Sequence, residues 1–87
     1  MENDNSKQVA ERRAKLREKL ADLEHRQWIY WTKKVMENTK TDSVEGQFVL
    51  EAIYKNWRKN HIPYSELTEE MKDYDREWAD KVLELLP

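Results

Sequence analysis

The chain has 87 residues, with 16 Lys and Arg against 18 Asp and Glu, and 39% of its residues are charged. That length allows one small domain with a modest core, and the near balance of charge excludes a protein that holds long nucleic acid by bulk positive potential. Cysteine is absent, which excludes disulfides, thiol catalysis and thiolate zinc sites together.

One glycine, two prolines and few β-branched runs leave little material for strands. The expected fold is all-α: a small three-helix domain with a long N-terminal helix and an extended Pro-Tyr lead-in to the last helix. The first helix should begin between Asn5 and Gln8 and run to about Asn38. Leu16, Leu20 and Leu23 form an apolar stripe that Trp28, Trp31 and Val35 continue with a small rotation. Before Leu16 the sequence is polar, with Glu11 and Lys15 spaced to pair, so residues 1–15 read as a polar helical extension and 16–87 as the domain. Val9, Leu16, Leu20 and Leu23 are nearly heptad-spaced, a pattern suited to a homo-oligomer through the N-terminal helix.

Asn38 to Ser43 reads as a connector, and Thr41, Asp42 and Ser43 are alternative caps for a second helix ending near Asn60. Leu50, Ile53, Tyr54 and Trp57 should bury one face of it strongly, and Gly46 should weaken its first turn. Pro63 then fixes its own φ and holds Ile62 extended, which presents Tyr64 at a defined angle. Thr68 caps a third helix, with Glu69 and Glu70 against the positive end of its dipole. Met71, Tyr74, Trp78, Val82 and Leu85 recur at intervals of three or four and are expected in the core. No stretch approaches the roughly 18 apolar residues of a membrane span, and Met1 to Asn5 does not read as a signal peptide. A cytoplasmic location with no membrane partner is expected.

Two motifs carry a resemblance. Glu24, His25 and Trp28 occupy a Glu-His-x-x-Trp pattern, and Ile62, Pro63, Tyr64, Leu67, Glu69, Lys72, Asp75 and Arg76 occupy Ile-Pro-Tyr-x-x-Leu followed by Glu-x-x-Lys-x-x-Asp-Arg. Together they resemble a ryanodine-receptor repeat (RyR domain), a small module of calcium channels and of bacterial and phage proteins. The resemblance covers about Leu20 to Leu86. It departs in the middle, where the family inserts a Gly-Trp turn and a short strand pair and this chain predicts a helix over Val44 to Arg58. It implies capture of a small anionic ligand, a nucleotide or nucleotide-derived signal, in the setting of antiviral defence. A phage-encoded protein that sequesters such a signal in the host cytoplasm would fit that setting.

The residues expected to hold the ligand are His25, Trp28, Trp31, Pro63, Tyr64 and Arg76. Four Trp and four Tyr offer faces for a base, and Lys33, Lys34, Arg58, Lys59 and Arg76 are candidate phosphate contacts. Several have a structural reading beside the functional one. The tryptophans fit a core, Tyr64 reads as core anchor or ligand contact, and Asp75 with Arg76 reads as an inter-helix tie. Two distant histidines without clustered carboxylates predict no metal site, and no cofactor is expected. There is no Gly-rich phosphate loop, no Ser/His/Asp arrangement and no HExxH motif, so the chain reads as a non-enzyme. The alternative function is a small interaction module that binds and blocks a protein partner.

Overall fold

Helix α1 spans Glu2–Asn38, α2 spans Val44–Arg58 and α3 spans Glu69–Leu83, with a 3₁₀ turn at Tyr64–Glu66 between the last two. The computed structural model describes residues 2–86, and among them there is no strand. The expected caps form. Ser43 Oγ accepts from Gly46 N at 3.1 Å at the start of α2, and Thr68 Oγ1 accepts from Met71 N at 3.2 Å at the start of α3. Gly46 has a positive use as well. A Cβ there would stand 2.8 Å from Thr41 Cγ2, so glycine lets the connector fold back over the first turn of α2.

Helices α1 and α3 pack antiparallel, as the pairs Arg13 with Leu83, Arg17 with Asp80 and His25 with Asp75 show. Ala21 and Ala79 are fully buried where the two helices meet, and Tyr64 and Leu67 complete this small core with Leu20, Ile62 and Met71 at its edge. Alanines at the crossing allow close approach, so polar neighbours on either side can reach across. Arg17 forks onto Asp80 at 2.7 and 3.1 Å, and the Arg13 guanidinium donates to the Leu83 carbonyl at 3.2 Å.

The buried face of α3 is not the one its hydrophobic periodicity marks. Lys72, Asp75, Arg76, Ala79 and Leu83 turn toward α1, while Tyr74 is 60% exposed, Trp78 57% and Leu85 84%. Leu23, Trp31, Ile53 and Val82, also expected in the core, are exposed as well. The reason is that small size and ion pairing, not hydrophobicity, decide the α1–α3 contact. On α2, too, only Tyr54 is buried, its hydroxyl donating to the Thr39 carbonyl at 3.3 Å, and Val44, Phe48 and Val49 face solvent. A core position would make Trp78→Ala cost about 3–5 kcal/mol. At the observed exposure, dilute protein should lose about 1 kcal/mol in a urea melt.

The molecule measures 66 × 24 × 15 Å, with a radius of gyration of 17.9 Å. A compact chain of this length would have about 12 Å. No helix of the described residues is long and apolar enough to cross a membrane.

Candidate functional site

A groove of about 290 Å³ runs between α1 and α3 and is lined by Glu24, His25 and Trp28 on one side and by Tyr74, Asp75 and Trp78 on the other, with Asn60, Leu67 and Met71. Helical spacing puts Glu24 and Trp28 one turn apart, and Tyr74 and Trp78 likewise, so α1 offers one indole and one acid to the groove beside His25, and α3 offers two aromatic rings and one acid. The indole of Trp28 stacks with His25 at 5.8 Å between centroids and meets His61 edge-on at 5.3 Å. Beside the groove, Trp31 and Trp78 share a shallower hollow with Glu24, Gln27 and Trp28. Trp31 in turn leans on Trp57 of α2 at 6.1 Å.

His25 is 3% exposed and fixes the groove wall. Its Nε2–H donates to the Ile62 carbonyl at 2.7 Å, which holds the proline-locked segment against α1 and leaves Nδ1 directed at Asp75 Oδ2, 3.4 Å away. Burial raises the Asp75 pKa, with His25 opposing. His61, which sequence alone leaves unassigned, donates from Nε2 to the buried Thr32 hydroxyl at 2.8 Å, since that hydroxyl spends its own proton on the Trp28 carbonyl. No sequence pattern marks the pair, because Thr32 and His61 are joined only by the fold.

The expected ligand contacts fall into two groups. His25 and Trp28 line the groove and Trp31 adjoins it. Pro63, Tyr64 and Arg76 stand elsewhere. Pro63 leads into the 3₁₀ turn and is exposed, whereas Tyr64 is a buried anchor whose hydroxyl donates to Glu18 Oε2 at 2.6 Å. Burial first, and then the Glu18 carboxylate, push the Tyr64 pKa up to about 12. Arg76 reaches Glu18 Oε1 at 2.7 Å, Glu69 Oε2 at 2.7 Å and Asp73 Oδ1 at 3.0 Å. With its side chain 13% exposed and its fork on three carboxylates, it ties α3 to α1 and is not open to a phosphate. Of the other candidate cations, Arg58 pairs with Glu51 at 2.8 Å and Lys34 lies 3.8 Å from Glu37. Tyr74 and Trp78, expected in the core, are the groove residues that sequence reasoning placed wrongly.

A broader hollow of about 680 Å³ lies between the end of α1 and α2, lined by Met36, Thr41, Val44 and Phe48 among others. Among the described residues no cluster of three or more His, Asp or Glu is placed to hold a metal ion.

The charge network makes the fold acid-sensitive. Burial and then the nearby Lys33 lower the His61 pKa below its ordinary 6.5, so the unfolded chain takes up a proton first and stability falls as pH drops below 6.5. Arg76 in turn lowers Glu18 and Glu69, and Arg17 lowers Asp80, so their contributions are lost as pH falls through the carboxylate range. Asp75 acts in the opposite sense, since its raised pKa makes protonation favour the fold. Urea midpoints at pH 7.5, 5.5 and 3 should decrease in that order, and His61→Gln should flatten the first interval only. A midpoint that rises toward pH 5.5 would contradict the lowered pKa of half-buried His61.

No protein-family model, no curated protein and no solved structure matches this chain.

Proposed function

We propose that this chain is a non-catalytic interaction protein built on an RyR-like helix pair, and that its working surface is the aromatic flank of α1 and α3, which another protein covers. The observation that carries this reading is the exposure of Trp31, Tyr74 and Trp78, each more than half open to solvent on helices whose buried contact is made by alanines and ion pairs. Large aromatics held on rigid helices are what a protein interface uses as anchors. Buried His25 is engaged in holding the Ile62 segment, with half-buried Asp75 at its other ring nitrogen, a positioning task that leaves no activated nucleophile beside it. A photo-crosslinking residue placed at Trp78 should yield protein adducts in the native cell, and the same residue at exposed Arg26 should not. Equal yields at both positions, or none at 78, would overturn the reading.

A second reading is capture of a nucleotide, as the resemblance to RyR domains implies, by a chain of phage or bacterial origin acting in antiviral defence. The groove favours it in one respect: Trp28 and Trp78 supply faces for a base, and Glu24, Asp75 and Asn60 can accept from its amine. The same two acids oppose a phosphate in the groove. Thermal melts against mono-, cyclic and ADP-ribose-type nucleotides test this directly. A ligand at 100 times its dissociation constant adds about 2.7 kcal/mol, a shift on the order of 10–20 °C for a domain this small. No shift with any of them removes the nucleotide reading.

A further inference from the structure

We infer that the aromatic flank of α1 and α3 is covered by a second copy of this chain, two helix pairs meeting face to face as a four-helix arrangement in which each α1 lies across the other copy's α3. This inference rests on the interaction reading above and names its occupant.

The first support is continuity. On α1, Leu16, Leu20, Leu23 and Trp31 share one flank by helical spacing, and on α3 so do Tyr74 and Trp78, with Val82 and Leu85 following. Trp31 and Trp78 line one hollow, so the two flanks lie on the same side of the helix pair and form a single surface. A surface made of two antiparallel helices is self-complementary under a two-fold axis running along them.

The second support is area. The chain exposes 7216 Å², whereas a compact monomer of this length exposes about 5,500 Å². The projecting first turns of α1 account for part of the surplus. A specific interface takes about 800 Å² from each partner, which the flank can supply.

The third support is charge, and it selects the arrangement. Helix α1 carries nine Lys and Arg against seven Asp and Glu, while α3 carries three against six. Laying α1 on the other copy's α3 brings unlike charges together. Laying α1 on α1 and α3 on α3 stacks like on like.

Sedimentation equilibrium across the micromolar range should give twice the chain mass. Leu23→Glu with Trp78→Glu should weaken association by more than about a hundredfold while leaving the helical circular dichroism in place, because neither side chain is buried in the single chain. Phe48→Glu with Val49→Glu, on the exposed face of α2, should leave the mass unchanged. Since the chain has no cysteine, introduced thiols report the arrangement. A mixture of Leu23→Cys and Trp78→Cys chains should form a mixed disulfide, and neither alone should couple to itself.

A wild-type mass equal to one chain, a dimer that survives the double glutamate variant, or self-coupling of either cysteine variant would overturn the inference. The interaction reading fails separately. A monomer that yields crosslinks to a different protein at position 78 removes the second copy and keeps the reading, whereas a monomer without adducts removes both.

Discussion

Arg76→Ala is expected to lower the stability of the protein by about 2–3 kcal/mol, the effect of removing a largely buried guanidinium and leaving its carboxylate partners facing one another. In a domain of this length that is a fall of about 10–20 °C in melting temperature. The physical basis is the three-carboxylate cluster. Glu18, Glu69 and Asp73 all converge on one cation, and Glu18 also accepts from the Tyr64 hydroxyl, so α1, the 3₁₀ turn and α3 meet at a single point. Arg76→Lys should recover only part of the loss, because a point charge cannot reproduce a planar fork shared among three acids. Thermal melts followed by circular dichroism decide it. If Arg76→Ala leaves the unliganded melt unchanged, the cluster is not a structural tie and Arg76 becomes available for a ligand after all.

Ala79→Leu should be at least as damaging. Ala79 and Ala21 are both 0% exposed at the α1–α3 crossing, and the larger side chain must push the helices apart. Overpacking of this kind costs about 1–3 kcal/mol and occasionally more. Here the added distance also stretches the Arg17–Asp80 and Arg76–Glu18 contacts, so the upper end is expected. Against a small domain's total of about 3–5 kcal/mol, that leaves little folded protein at 37 °C. The contrast with Trp78→Ala, a far larger change in volume with a small expected effect on dilute protein, is the sharper measurement. If Trp78→Ala proves the more damaging in urea melts, the buried face of α3 has been assigned to the wrong flank.

That contrast also marks where sequence reasoning succeeded and failed. The helices and their caps were legible because they are local: Ser43 and Thr68 announce α2 and α3 within a few residues of where they begin. The packing of α3 was not legible. Its apolar residues follow a clean helical period, and period identifies a face without saying what the face meets. The face that meets α1 reads as charged in sequence, and only its partners at 50 to 70 positions' distance show it to be an ion-paired seam around two alanines.

The groove was half legible. His25 and Trp28 carry a recognisable pattern, and their neighbours Tyr74 and Trp78 were visible as a stripe but assigned to the interior. Arg76 stood out in sequence for the right chemistry, a planar fork seeking anions. Its anions turned out to be the protein's own. Nothing in the sequence distinguishes an arginine that waits for a phosphate from one already held by three carboxylates, because the carboxylate that completes the cage, Glu18, lies on another helix.

The pairing of α1 with α3 has a consequence for how the chain finds its fold. Its ties join residues separated by 46 to 70 positions, and even the contacts that seat the proline segment on α1, Thr32–His61 and His25–Ile62, span 29 and 37, so long loops must close before the α1–α3 seam forms. Helical proteins usually fold fast because their contacts are near in sequence, and this one should be slow for its class. Helix α2 sits inside that closure, yet it supplies none of the residues that join α1 to α3 in the central core. A short flexible bridge from Thr39 to Asn60 would shrink the loop to be closed and speed folding, since closure entropy grows with the logarithm of length. In kinetic terms α2 is ballast carried between two halves of a hairpin.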